Sequence, residues 1–199
     1  MPGDLNSSRL EAFSDGVIAV VITIMVLDLR VPSVREAGDW VAIRGDLKLI
    51  LVYLLSFVQV GIYWVNHHYL IDDVDQVSHG ILWANLAFLF SLSLFPFATH
   101  WVGERGVSSF SVALYAIVSV LPAFTWVVLS NIICRRSGIP LAGSQAKQLA
   151  SASLYLGAIL VACFHPLVAI GMISLVALLW LFPPQRQREI ARSKAPSSQ

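Results

Sequence analysis

The sequence predicts an all-α, polytopic membrane protein with six transmembrane helices. Hydrophobic residues make up 57% of the 199 residues and charged residues 13%, whereas soluble domains carry about a quarter charged residues. Apolar windows of about 20 residues, the length that crosses a bilayer core as a helix, recur six times along the chain. These windows are Ser7–Leu29, Leu47–Tyr69, Gly80–Val102, Val107–Cys134, Leu149–Phe164 and Leu167–Phe182.

Polar segments separate the windows. Ser33–Asp46 carries charges of both signs, Ile71–His79 carries three acids, and Gly103–Gly106 is a short turn. A basic and polar stretch precedes the fifth window, and His165-Pro166 separates the last two. Residues 1–184 therefore form one six-helix transmembrane domain, followed by a basic, disordered tail over residues 185–199.

The distribution of basic residues predicts the orientation. An even number of spans places both termini on one side, together with eight of the thirteen Lys and Arg residues; the outer loops hold the other five. The positive-inside rule then favours cytoplasmic termini. We expect a multi-pass protein of the plasma membrane.

The first window divides into two faces. At about 100° per residue, Val20, Ile24 and Leu27 form one apolar stripe, with Thr23 beside it. Asp15 points about 140° away from Val20 by the same arithmetic. Apolar residues at this spacing are more often ordinary packing than a functional surface, and both interpretations stay open at this point.

Asp15 needs a partner, because an ionisable group at the start of a membrane helix is costly to bury alone. The predicted donors are His67, His68, Asn85 or, on the same helix, Arg9. The alternative is that Ser14 and Asp15 only cap the helix N-terminus.

Arg9-x-x-x-Phe13-Ser14-Asp15 before an apolar helix resembles the RxxxFSD signature of the transmembrane protein 175 family of potassium channels. Further matches lie in the second and third spans, while spans four to six match in hydropathy alone. The matching positions are Trp64, His67, His68, Asn85, Pro96 and Thr99.

The resemblance implies a homotetramer in which the first helix of each subunit lines a central, potassium-permeable pore without a cofactor. Rings of Val20, Ile24 and Leu27 would form the hydrophobic constriction, and the chain lacks a TVGYG filter loop. Val20 is smaller than the usual Ile or Leu, which predicts a wider constriction and weaker selectivity. A structural polar network would comprise Arg9, Phe13, Ser14, Asp15, His67, His68 and Asn85.

Two further residues of the first helix are candidates for the pore. The Thr23 hydroxyl faces either a permeating ion or, more commonly for a helical Thr, another backbone or helix. Asp28 would give four carboxylates that concentrate cations at the outer mouth, or it pairs with Arg30 or a loop base.

Other functional classes have weaker support. His67, His68 and the acids up to His79 lack a recognised zinc spacing, so we predict no metal site, and no catalytic motif indicates an enzyme. No basic tract is suited to nucleic acid. The alternatives that remain are a proton-coupled secondary transporter using Asp15 and the histidines, and a membrane metalloenzyme at the histidine cluster.

Overall fold

The computed structural model describes residues 7–29, 39–72, 74, 76–137 and 145–181; for Asp28, residues 39–46, Ser137 and Gln145 it describes the backbone alone. Every regular element in these ranges is helical, which confirms the all-α prediction. The helices are α1 (Ser7–Met25), continued by a 3₁₀ turn (Val26–Asp28), α2 (Asp39–Ile71), α3 (His79–Leu92), α4 (Phe95–Arg105), α5 (Ser109–Ser137), α6 (Gln145–Ala162) and α7 (Pro166–Leu181). The tail predicted over residues 185–199 lies outside the described residues.

The helices correspond to the six predicted spans, with α3 and α4 forming the third. Three segments are long and apolar enough to cross a membrane, namely Leu47–Ile71, His79–Arg105 and Ser109–Arg136. The last two spans, α6 and α7, are shorter apolar helices. In α1, Arg9, Glu11 and Asp15 add charge to an otherwise apolar helix.

Several boundaries differ from the prediction. The turn predicted over Gly103–Gly106 is helical up to Arg105, because α4 continues into it, and α6 begins at Gln145, four residues before the predicted window. The segment Ser33–Asp46 was predicted to be a loop, but α2 already begins at Asp39; charge disfavours the bilayer core and not the helical conformation. The third span is broken between Leu92 and Phe95. Pro96 has no N–H to donate to the carbonyl of Leu92, so the hydrogen-bond ladder is interrupted there.

The core lies between the long helices. α5 packs against α3, α4, α6 and α7, and α1 packs against α2, α3 and α4. Tyr63, Phe88 and Trp126 form an aromatic cluster between α2, α3 and α5, with ring centroids 5.5–6.4 Å apart. Two of these helices, α2 and α3, also pack against α1.

A chain of buried polar side chains also joins the helices. Ser56 bonds Thr99 at 2.7 Å and Tyr115 at 2.8 Å, and Tyr115 donates to Gln59 at 3.1 Å. Gln59 in turn donates to Tyr155 at 3.3 Å. Because buried polar groups in a bilayer are costly when unpaired, these bonds favour one arrangement of α2, α4, α5 and α6.

Candidate functional site: the first helix and its polar contacts

α1 has a buried face and an exposed face. Its buried side chains are Leu10, Ser14, Ile18, Val21 and Met25. Their spacing of three or four residues places them on one side of the helix, against α2, α3 and α4. The described part of the subunit leaves the opposite side uncovered.

The uncovered face contains the predicted apolar stripe. Val20 is 54% exposed, Ile24 46% and Leu27 75%, although all three are large apolar side chains. Phe13, 53% exposed, belongs to the same face because seven residues are close to two helical turns. An apolar face of this length is available to lipid, to a second subunit or to a pore.

Thr23 lies on the same exposed side. Its hydroxyl donates within α1, where the carbonyl oxygens of Ala19 and Val20 lie at 2.9 and 3.1 Å. Because the hydroxyl proton is used inside the helix, the lone pairs of the oxygen remain available on the exposed side. The side chain of Asp28 lies outside the described part of the structure.

The buried face of α1 is held by a directional chain of hydrogen bonds. Ser14 donates to the carbonyl of Leu10 at 2.8 Å, and the Asn85 amide donates to Ser14 at 2.9 Å. The carbonyl oxygen of Asn85 lies 2.7 Å from Nε2 of His67. Since that oxygen can only accept, His67 carries its proton on Nε2. Ser14, His67 and Asn85 are completely buried.

Asp15 has a different partner from the predicted ones. Its Oδ1 accepts a 2.8 Å hydrogen bond from the indole Nε1–H of Trp64 on α2. Ser14, and not Asp15, contacts Asn85, because successive residues of a helix point about 100° apart. Trp64 was recognised as part of the resemblance, but its role as the donor was missed.

A second contact joins α1 and α2 one helical turn away. Glu11 Oε1 lies 2.8 Å from His68 Nδ1. Glu11 precedes Asp15 by four residues, and His68 follows Trp64 by four. The two contacts therefore lie one helical turn apart between antiparallel helices. The rings of Trp64 and His68 are stacked with their centroids 6.4 Å apart, so the two contacts adjoin each other on α2.

Not every residue of the predicted network joins it. Ser14, Asp15, His67, His68 and Asn85 make the contacts described above, but Arg9 is exposed. Phe13 lies on the exposed face and is 53% exposed, so the described part of this subunit covers it only partly. Glu11 contacts His68 on α2, which was not predicted. Its position four residues before Asp15 places both acids on one side of α1 and could have indicated this contact.

Comparison with known proteins gives a consistent result. Residues 9–96 match the sequence model of the family described as "Endosomal/lysosomal potassium channel TMEM175". A potassium channel of Chryseobacterium sp. (strain P1-3) is 43% identical over 187 residues, covering 92% of this chain and 96% of that one. An endosomal/lysosomal proton channel of Gallus gallus is 33% identical in an alignment of 111 residues that covers 50% of this chain and 22% of the chicken protein.

Among solved structures, a similar fold is found in a crystal structure described as a lysosomal potassium-selective channel TMEM175 homolog from Chamaesiphon minutus. The TM-score is 0.75 with 24% sequence identity, covering 95% of this chain and 98% of the other. At this coverage the likeness concerns the fold of nearly the whole chain.

Proposed function

The chain belongs to the TMEM175 family, and we propose that it forms a potassium-preferring cation channel. The family is one of multi-pass membrane channels and not of enzymes. The observation that carries the proposal is the exposed apolar face of α1, opposite a face fixed by polar contacts. In the proposed assembly, four subunits bring these faces together around a central pore.

The proposed constriction consists of rings of Val20, Ile24 and Leu27. An ion in such a ring loses hydration without gaining oxygen ligands, so the ring is an energetic barrier. The barrier is lower for potassium than for sodium, because potassium holds its hydration shell less tightly. The free lone pairs on Thr23 support a place for this hydroxyl beside the ion path.

The polar contacts of α1 have a positioning role in this proposal. The chain from His67 through Asn85 to Ser14 and the bond from Trp64 to Asp15 fix the rotation of α1. This rotation keeps Ser14 and Asp15 on the protein side and places Val20 and Ile24 on the pore side. No cofactor is required, and the permeant ion is K⁺.

The position of the channel in the cell is also a proposal. We place it in the plasma membrane with both termini in the cytoplasm, and the excess of basic residues in the predicted inner segments supports this orientation. Phe13, exposed in the single subunit, would contact a neighbouring subunit in the homotetramer.

Proton movement is the second candidate, favoured by the name of the chicken relative and by the buried His67. A proton-coupled transporter using Asp15 and the histidines would need an ionisable path. The polar chain instead ends on the backbone carbonyl of Leu10 and lies on the buried face of α1. The geometry therefore favours a channel in which cations pass along the apolar face, and not a proton-coupled transporter.

The test is recording from the purified protein in planar bilayers, combined with native mass spectrometry. We expect a tetramer and unitary currents carried by K⁺ more readily than by Na⁺. Saturable, pH-driven flux without unitary currents would instead support the transporter. A monomer that conducts would contradict the proposed pore.

A further inference from the structure

We propose that Glu11, His68 and Asp72 form a binding site for a divalent transition-metal ion that joins α1 to the end of α2. Each residue offers one ligand atom, and these three atoms lie within 4.8 Å of one another. The site is separate from the apolar face of α1 and independent of what passes along it.

Two of the ligand atoms are already about as far apart as two atoms bound to one metal ion. Glu11 Oε1 and His68 Nδ1 are 2.8 Å apart. Metal–ligand bonds to imidazole and carboxylate are about 2.0–2.2 Å, which places neighbouring ligand atoms roughly 3 Å apart. Neither side chain therefore has to move far to admit an ion between them.

The third ligand follows from the helical spacing. Asp72 comes four residues after His68, and its backbone N–H still donates to the His68 carbonyl at 3.2 Å. Residues at this spacing share one helix face, as do the paired ligands of helical zinc sites. Glu11 then closes the site from α1, so that the ion links two helices.

The ligand types indicate the class of ion. One imidazole with two carboxylates suits Zn²⁺, Co²⁺, Ni²⁺ or Mn²⁺, whereas Ca²⁺ and Mg²⁺ prefer oxygen ligands alone. The side chains of His68 and Glu11 are 45% and 25% exposed, which leaves access for the ion and for water as further ligands. Without metal, His68 Nδ1–H donates to Glu11. A metal ion at Nδ1 takes the place of this proton, and the neutral ring then carries its proton on Nε2.

Sequence spacing alone pointed to a different cluster. It grouped His67 with His68 and the acids that follow, but His67 is buried with its Nε2 on Asn85. Glu11 lies on another helix, so only the packing of α1 against α2 brings it to the site.

The site is tested by titrating Co²⁺ into the purified full-length protein and following its visible absorption, with Zn²⁺ as competitor. We expect one competable ion per chain. Glu11→Gln keeps an oxygen that accepts from His68 but loses the carboxylate ligand. This change, His68→Asn and Asp72→Asn should each weaken binding about tenfold or more, since loss of even an outer-shell partner costs about 10–100-fold.

His79→Asn is the matched control, because His79 accepts a hydrogen bond from Trp83 on α3 and lies outside the three-residue site. This variant should bind Co²⁺ like the wild type. Zn²⁺ should also raise the thermal unfolding midpoint of the wild type and of His79→Asn, but not of His68→Asn. Absence of binding in the wild type, or undiminished binding in both Glu11→Gln and His68→Asn, would overturn the site whatever ion the channel conducts.

Discussion

Asp15 accepts a 2.8 Å hydrogen bond from the indole of Trp64, and this bond joins α1 to α2 within one subunit. The carboxylate therefore faces protein, while Val20 and Ile24 on the same helix are about half exposed. Charge-assisted bonds are stronger than neutral ones, so this contact is suited to fix the rotation of α1. One side of α1 therefore holds the helix against α2, while the other side leaves its apolar residues exposed.

Removing the Trp64 donor should destabilise this contact. In a double-mutant cycle of Trp64→Phe and Asp15→Asn, we expect a coupling free energy of about 1 kcal/mol. This is less than a fully buried hydrogen bond to a charged group contributes, because both side chains are partly exposed. Denaturant unfolding in detergent measures it. Trp83→Phe is the control, since the Trp83 indole donates within α3, to His79. Additive effects of the two changes would show that the bond contributes nothing.

Asn85 is the central member of the buried polar chain. Asn85→Ala removes the donor to Ser14 and the acceptor of the His67 Nε2–H, and it should lower the free energy of unfolding by about 1–3 kcal/mol. Ser119→Ala is the control, because that buried hydroxyl donates to the carbonyl of Tyr115 on its own helix at 2.9 Å, and the described residues give it no bond to another helix. Equal losses in the two variants would mean that the bonds between helices carry no special weight.

Leu27 and Ile24 should limit conduction in the proposed pore. Replacing either with Ala or Asn removes part of the dehydration barrier, and a decrease of about 1.4 kcal/mol would raise K⁺ flux roughly tenfold. The permeability ratio of K⁺ over Na⁺ should fall at the same time. Both quantities are measured by single-channel recording under bi-ionic conditions.

The control for the pore variants is Leu160→Ala. Leu160 is 71% exposed on α6, close to the 75% of Leu27, but it lies outside α1. Its replacement should leave conductance and selectivity unchanged. Wild-type currents in both the Ile24 and Leu27 variants would refute the assignment of the pore to this face.

Gly106 occupies a backbone conformation that other residues adopt only under strain. Its φ is +72° with ψ near 179°, between α4 and α5. Gly106→Ala should lower the free energy of unfolding by about 1–3 kcal/mol. Gly171→Ala should instead raise the free energy of unfolding, because alanine favours the helix and a Cβ added there meets no described atom within 4 Å beyond its chain neighbours and its own helix backbone. Thermal unfolding of the two variants compares them.

Much of the fold was predictable from local pattern. Bilayer thickness imposes one length on every span, so apolar windows located the helices without any knowledge of their packing. Helical periodicity placed Val20, Ile24 and Leu27 on one face and Asp15 on another. The break before Phe95 was missed because Pro96 lies inside an apolar window, and hydropathy alone predicts one continuous helix there.

What the sequence by itself determined is the number of spans, the division of α1 into two faces and the RxxxFSD resemblance. Only the tertiary structure decided the pairings: Trp64 with Asp15, Asn85 with Ser14 and His67, and Glu11 with His68. The physical reason is range. Periodicity reports which side of its own helix a residue occupies, whereas a hydrogen-bond partner on another helix depends on the relative position and rotation of both.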